Sequence, residues 1–365
     1  MTLQVILRAD ASVTIGTGHV MRCLTLASTL RERGADCHFV TRNLPGHLAA
    51  VIADLDFPLS LLPAPSGPPP DGPPAHAAWA GVSWKQDLAD TLAVSSSADW
   101  LIVDHYALDA RWESGVLDRV GRVMVIDDLA DRPHDAALLL DQNLGRTASD
   151  YSSLVPDNCR RLIGPHFALL RPEFSVHREA SLAGRQTRKL AHLMISMGGT
   201  DVGDATSTAL RAIKGAMLPE DLRISIVMGS RAPALDGVRL LATSLPWFTE
   251  VLVDVSDMAA LMTDADLAIG AGGSTTWERC CLGLPSVIVE TAANQASAAA
   301  AMREAGAALG IGPAGGPAFD ELLVAALGQL MRAEVIDRLT LASAGLCDGG
   351  GTVRVAQVLE SSTWV

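Results

Sequence analysis

Short apolar runs recur along the chain and alternate with longer stretches whose apolar positions return every three to four residues. Val5-Ile6-Leu7, Cys37-His38-Phe39-Val40, Trp100-Leu101-Ile102-Val103 and Val123-Met124-Val125-Ile126 read as buried strands. Residues 20–33 read as a helix, with Val20, Leu24, Ala27 and Leu30 on one face. A second series begins near residue 190. Its strands are Leu193-Met194-Ile195-Ser196, Ile224-Ser225-Ile226-Val227, Val251-Leu252-Val253, Leu267-Ala268-Ile269 and Pro285-Ser286-Val287-Ile288-Val289. Strand–helix alternation of this kind predicts an α/β fold in which parallel sheets are covered by helices on both faces.

Between the two series lies a polar, charged stretch, residues 175–189, which reads as a linker. The expected organisation is therefore an N-terminal domain over 1–174, a C-terminal domain over 190–345 and a tail or helix over 346–365. The Ala/Gly-rich region from about 311 is expected to supply closing helices. Each half opens on the same plan of strand, Gly-rich turn and helix. Residues 63–74, Pro-Ala-Pro-Ser-Gly-Pro-Pro-Pro-Asp-Gly-Pro-Pro, read as a rigid or disordered surface loop without a function of its own.

A length of 365 residues fits two domains. Aromatic residues are only 4% of a chain that is 49% hydrophobic, so the cores must be built from Ala, Val, Leu and Ile. The formal net charge of -13 lacks the basic footprint that nucleic acid requires, so no nucleic-acid partner is expected. A local phosphate site made of backbone N–H groups stays open. The N-terminus shows no basic segment followed by an apolar one, and no apolar run approaches the ~18 residues of a spanning helix. A cytoplasmic protein without membrane insertion is expected. The six cysteines (Cys23, Cys37, Cys159, Cys280, Cys281 and Cys347) show no C-x-x-C spacing and read as reduced, buried thiols.

Six constellations carry candidate chemistry. Gly16-Thr17-Gly18-His19 sits at the turn between the first strand and its helix, with Arg22 one turn on and on the same side as His19. Glycines there let a ligand approach the backbone, and the alternative is a plain turn with a solvent-facing histidine. It is not a dinucleotide fingerprint, because Met21 stands where a third glycine is needed and no acid ends the next strand. Asp104-His105-Tyr106 follows a strand directly, where ligands of open α/β sheets bind, although Asp104 would equally serve as a helix cap. Asp127-Asp128 ends another strand and reads as structural or cleft-shaping rather than metal-binding.

Met197-Gly198-Gly199-Thr200-Asp201 is a strand-to-helix turn whose amides suit a phosphate, or else a tight turn capped by Thr200 or Asp201. Gly270-Ala271-Gly272-Gly273-Ser274-Thr275-Thr276-Trp277-Glu278 combines free N–H groups, hydroxyls and a helix start, the parts of a pyrophosphate cradle. Glu278 is placed there to accept from ribose hydroxyls, or simply to favour the helix dipole. Two such loops in one domain strengthen the functional reading. Asn294-Gln295 follows the strand at 287–290 and offers amides to sugar hydroxyl and acetamido groups.

Together, Arg8-Ala9-Asp10-Ala11-Ser12, Gly16-Thr17-Gly18-His19, Asp104-His105-Tyr106, Met197-Gly198-Gly199-Thr200-Asp201 and the loop at 272–278 resemble the UDP-2,4-diacetamido-2,4,6-trideoxy-β-L-altropyranose hydrolases of pseudaminic acid biosynthesis, a set that includes the spore-coat polysaccharide protein G group. The second half also resembles the nucleotide-binding half of the lipid II-forming GlcNAc transferase. The motifs run in the family's order from residue 5 to about 310. The resemblance implies a GT-B fold, two Rossmann-like domains with parallel sheets facing a central cleft. It implies water attack at C1 of a UDP-sugar with inversion, without metal or cofactor.

By the same resemblance His19 is the base, while Tyr106 and Asn294 contact sugar or water. Gly273, Ser274 and Thr275 form the phosphate loop, Glu278 holds the ribose, and Val255 reads uracil through its backbone. Asp10, Gly16, Gly18, Arg22, Gly198, Gly199, Thr200 and Gln295 are expected at the substrate. The Pro-rich loop and the long C-terminal region depart from the compact members, and the oligomeric state is left open. A UDP-sugar-dependent glycosyltransferase of the same fold is the alternative. It would need an acceptor surface, and the scatter of the basic residues Arg22, Arg31, Arg33 and Arg42 leans towards hydrolysis. His19 beside the glycine turn argues against a silent binding module, and the missing fingerprint argues against an NAD-dependent dehydrogenase.

Overall fold

The computed structural model describes residues 2–185 and 189–361. The chain divides into two compact units, Met1–Leu169 with Gly351–Val365, and Leu170–Gly350.

In the first unit the order is β1 (Gln4–Ala9), α1 (Gly18–Glu32), β2 (Asp36–Arg42), α2 (Ala49–Asp54), β3 (Leu59–Leu62), α3 (Trp84–Val94), β4 (Ala98–Asp104), α4 (Ala110–Val116), β5 (Val120–Ile126), β6 (Leu138–Asp141) and β7 (Arg160–Ile163). Its strands form one parallel sheet in the order β3-β2-β1-β4-β5-β6-β7. The second unit runs α5 (Pro172–Arg185), β8 (His192–Ser196), α6 (Ala205–Ile213), β9 (Arg223–Met228), α7 (Leu235–Ala242), β10 (Phe248–Val253), α8 (Met258–Asp264), β11 (Leu267–Ala271), α9 (Thr275–Cys281), β12 (Ser286–Glu290), α10 (Ala296–Glu304), β13 (Leu309–Pro313), α11 (Phe319–Gln329) and α12 (Ala333–Leu346). Its parallel sheet has the order β10-β9-β8-β11-β12-β13. A last helix, α13 (Gly351–Glu360), belongs to the first unit.

Both sheets share the doubly wound order in which the first strand sits mid-sheet and the chain reverses direction beside it. That reversal opens a crevice beyond the carboxyl ends of the two central strands. The crevice lies after β1 and β4 in the first unit, and after β8 and β11 in the second. The shared plan read from the sequence thus extends to the sheet order.

The inner strands β1, β4, β5, β8, β11 and β12 are largely buried on both faces, which is why they read as continuous apolar runs. Along β1, Val5 and Leu7 join the core under α1 and α13, while Ile6 joins Trp112 and Val116 on the opposite face. The second unit buries Leu193, Ile195, Ile226, Ile269 and Val287 against Leu210, Ile213, Leu323 and Leu327.

The stretch read as a linker lies mostly in α5. Two of its arginines bond backbone, while Glu179 and Lys189 face water: Arg185 donates to the carbonyls of Met262, Ala265 and Leu282, and Arg178 to those of Cys281, Ala344 and Cys347. Residues 186–188 of that stretch lie outside the described residues, as do 362–365 of the C-terminal tail. Among the described residues no helix is long and apolar enough to cross a membrane.

Helix α13 docks through Val355, Val358 and Leu359, and Trp100 Nε1 donates to Leu359 O at 3.1 Å. A Cβ on Gly351 would stand 2.3 Å from Ala168 O and 2.6 Å from Phe167 C, both backbone atoms that cannot step aside. Gly351→Ala is therefore expected to destabilise the protein by about 1–3 kcal/mol, the usual cost of overpacking. Chemical denaturation reads this directly, and an unchanged midpoint would contradict the docking described.

Candidate functional site

The turn after β1 is shaped by Ser12 and Gly16. Ser12 Oγ accepts from Thr14 N and Ile15 N, and the two residues form a short bridge with Gly16 at φ +82°. Helix α1 then starts at Gly18, which places His19, Arg22 and Cys23 on one buried face pointing at the end of β4.

Asp104, the last residue of β4, receives all three. His19 Nδ1 lies 2.6 Å from its Oδ1. Arg22 donates to both oxygens, Nε at 2.6 Å and Nη2 at 2.7 Å, and Cys23 Sγ stands 3.8 Å from Oδ2. Burial pushes the Asp104 carboxyl up, but Arg22 and His19 outweigh it and hold it below the usual carboxylate range. An ionised carboxylate only accepts, so Nδ1 carries a hydrogen, and the tautomer this selects has its lone pair on Nε2. Nε2 makes no hydrogen bond among the described residues.

The Tyr106 ring packs edge-on to the His19 ring, with centroids 4.6 Å apart. Its hydroxyl donates to Asp128 Oδ2 at 2.7 Å, and the same oxygen lies 2.8 Å from Arg22 Nη1. Burial and then Asp128 raise the Tyr106 phenol well above its ordinary value, so it stays protonated. Asn143 Nδ2 donates to the other Asp128 oxygen at 3.0 Å. His19, Tyr106 and Arg22 are thus gathered by two carboxylates.

Asp10 lies beneath this group. It is fully buried, takes two bonds from Arg8 and one each from Arg42 N and Thr41 Oγ1, and lies 3.1 Å from His105 Nε2. With its oxygens occupied it holds the strand ends in place and is not open to a ligand. Asp127 is likewise internal, bonded to Arg132, Ala130 N and Tyr151.

In the second unit the two glycine loops lie side by side, because β8 and β11 pair in register, Ser196 opposite Gly270. Gly198 has φ +97°, and a Cβ on Gly198, Gly199 or Gly273 would meet nothing within 4 Å, so these backbones face open space. Asp204 caps α6, its side chain accepting from Ser207 N, while Asp201, weighed for that role, accepts from Ala205 N and Thr206 N in the first turn, and Thr200 stays half-buried. Ser274 is exposed and Thr275 half-buried at the start of α9. Glu278 is half-buried, and burial lifts its carboxyl to about 7 against the pull of Arg171 and Arg279.

Gln295 packs on the second loop: a Cβ on Gly272 would lie 3.2 Å from Gln295 Cβ, and Gln295 Oε1 accepts from Thr291 N at 2.9 Å. Asn294 is exposed beside it. Val255 follows β10, two strands away from β8, just after Asp254, whose Oδ1 accepts from Ser230 N.

Several neighbours carry no sequence signal. Trp79 stacks on Tyr106 at 5.5 Å and lies 6.4 Å from the His19 ring, with His76 against both Trp79 and Tyr106. Both residues follow the Pro-rich segment, which is itself pinned where Arg42 donates to Pro63 O and Arg111 to Pro73 O.

No protein-family model matches the chain. The spore coat polysaccharide biosynthesis protein SpsG of Bacillus subtilis is 31% identical over 208 residues, 56% of this chain and 60% of that protein. The UDP-2,4-diacetamido-2,4,6-trideoxy-beta-L-altropyranose hydrolase of Campylobacter jejuni is 28% identical over 272 residues, 74% of this chain and 86% of that protein. These two proteins are its homologues. They are the two groups whose motifs the sequence resembles. The crystal structure of MurG from Acinetobacter baumannii superposes with a TM-score of 0.70 at 16% identity, covering 99% of both chains. That likeness identifies the fold as GT-B, with seven strands in one parallel sheet and six in the other.

Proposed function

We propose that the chain hydrolyses UDP-2,4-diacetamido-2,4,6-trideoxy-β-L-altropyranose to UDP and the free sugar, a step of pseudaminic acid biosynthesis. The observation that carries this reading is the pair His19–Asp104, 2.6 Å apart, which commits Nδ1 and leaves Nε2 as a proton acceptor. The name and the 86% coverage of the Campylobacter relative support the choice of substrate.

In this mechanism a water oxygen attacks C1 from the face opposite the diphosphate. Its proton passes to His19 Nε2, and the resulting imidazolium is stabilised by Asp104. The C1–O bond breaks with its electron pair going to UDP, so the configuration inverts. Charge grows on the diphosphate as the bond opens, and the amides at Gly198, Gly199 and Gly273 with the hydroxyls of Ser274 and Thr275 receive it. Tyr106 orients the water or sugar, Asn294 and Gln295 face the sugar, and Val255 offers backbone to uracil. Because the Asp104 and Asp128 carboxylates fix Arg22, it acts as a strut rather than a ligand to phosphate.

Glycosyl transfer is the second reading, and it would need an acceptor surface. The four arginines weighed for that surface are internally engaged: Arg22 by Asp104 and Asp128, Arg42 by Asp87 and Asp90, Arg33 by Glu360, and Arg31 by Leu55 O. This favours water as the acceptor. The test is UDP release in acceptor-free buffer. Release at a rate unaffected by added sugars or lipids supports hydrolysis, and release only with an acceptor supports transfer.

Glu278 gives a pH prediction for the nucleotide. Ribose hydroxyls donate best to an ionised carboxylate, so binding favours the deprotonated form and affinity rises as pH climbs through about 7. Uridine, which has no phosphate to titrate, is expected to bind more weakly at pH 6 than at pH 8. Glu278→Gln should flatten that profile, and an equally steep profile in the variant would remove Glu278 from the ribose site.

A further inference from the structure

Arg279 is 1% exposed, and among the described residues no carboxylate lies within 4.0 Å of its guanidinium. Arg8, Arg22, Arg42 and Arg132 are also buried, and each is matched by at least one aspartate. Arg279 faces neutral oxygens instead. Nη2 donates to Ala271 O at 2.8 Å and to Thr276 Oγ1 at 3.1 Å, Nη1 donates to Thr275 Oγ1 at 3.2 Å, and Nε has no partner. All three acceptors belong to the loop between β11 and α9. Gly270 makes room for the group, since a Cβ there would stand 2.5 Å from Nη1. A buried guanidinium left with neutral acceptors and an unsatisfied N–H is unfavourable. Burial lowers its pKa to about 10, which still leaves it charged at neutral pH.

We propose that Arg279 is a positioning residue for a nucleoside diphosphate, a buried cation completed by the diphosphate bound on the loop above it. The inference rests on the UDP reading and adds a residue to it. Two effects follow from the hydrogen bonds. Thr275 Oγ1 accepts from Arg279, which leaves its own hydrogen free to be donated to a phosphate oxygen. Thr276 Oγ1 also accepts from Arg279 and lies 3.5 Å from Ala271 O, so its hydrogen turns inward and braces the loop. Glu278 acts on the guanidinium without bonding to it, and the charge, which no carboxylate pairs within 4.0 Å among the described residues, then acts across a low-dielectric layer, where it is felt more strongly than in water. The ligand class this selects is one with two phosphates, in preference to the nucleoside alone.

The test compares UDP and uridine by ligand-observed NMR titration of the full chain, wild type against Arg279→Met and Thr275→Val. Arg279→Met is expected to weaken UDP by about 30-fold or more, the scale for truncating one side of a buried charged contact, and to weaken uridine, which feels Arg279 only through Glu278, by far less. Thr275→Val, which keeps shape and removes the hydroxyl, is expected to weaken UDP by about 10-fold with uridine unaffected. A merely structural role would weaken both ligands together, and that result overturns the proposal, as does unchanged UDP affinity in Arg279→Met. If Arg279→Met does not fold, the UDP-to-uridine ratio in Thr275→Val decides by the same criterion. Wild-type protein that binds uridine no less tightly than UDP also overturns it. Failure of the wild type to bind either ligand is the distinct result that removes the UDP reading itself.

Discussion

His19→Asn is expected to lower turnover by more than ~100-fold while UDP still binds, the scale of losing a general base. Asparagine keeps a polar group near Asp104 but has no nitrogen lone pair to take a proton. The loops proposed to hold the nucleotide belong to the other unit, so nucleotide affinity is a control within the same sample. Steady-state UDP release with and without the substitution, together with UDP titration, gives both numbers. Turnover near the wild-type level would remove His19 from the reaction.

Asp104→Asn is expected to be at least as damaging to turnover and worse for stability. Asp104 does two jobs at once: it fixes the His19 tautomer through Nδ1 and neutralises Arg22 through both oxygens. An amide is able to present its N–H to the ring and so reverse which nitrogen carries the hydrogen. By analogy with catalytic triads that lose the same contact, the loss of turnover is ~10³–10⁴-fold. The substitution also leaves Arg22 beside a neutral group inside the fold. One of its carboxylates remains, Asp128 at 2.8 Å, so the stability loss should fall near or below the ~3–5 kcal/mol of a broken buried pair. Denaturation midpoints and turnover measured well below the melting temperature separate the two effects. A variant that keeps its stability and its rate would mean that the His19–Asp104 contact has no catalytic consequence.

Much of this arrangement is legible in the sequence, and the gaps have physical causes. The six- and seven-residue strands β1, β2, β4 and β5 announce themselves because both faces are buried. Strands β3, β6 and β7 are four residues long, too short for a pattern, and β13 hides within Leu-Gly-Ile-Gly-Pro. Helix α5 reads as a linker because its arginines bind carbonyls of other helices, a use of charge that no local pattern reveals. His19 and Tyr106 stand out as motif residues, whereas the role of Asp104 depends on a partner 85 positions away. Asp10 stands in a motif beside residues expected at the substrate, yet its oxygens are taken by Arg8, Thr41 and the Arg42 backbone. Trp79 and His76 carry no spacing signal at all, since the Pro-rich segment delivers them to the Tyr106 ring. Arg279 follows Glu278 at a helix start that reads as part of a pyrophosphate cradle, and its burial against neutral oxygens of that loop is visible only in the fold.

The central claim is cleavage at the anomeric carbon by water. It is tested most directly by an NMR time course of the purified protein with UDP-2,4-diacetamido-2,4,6-trideoxy-β-L-altropyranose in ¹⁸O-labelled water, with EDTA and no acceptor. The account predicts that UDP is released without ¹⁸O in its β-phosphate and that the free sugar first appears as the opposite anomer. UDP carrying ¹⁸O would place the break at the P–O bond, and retention of configuration or no release without an acceptor would likewise contradict single-step hydrolysis at C1.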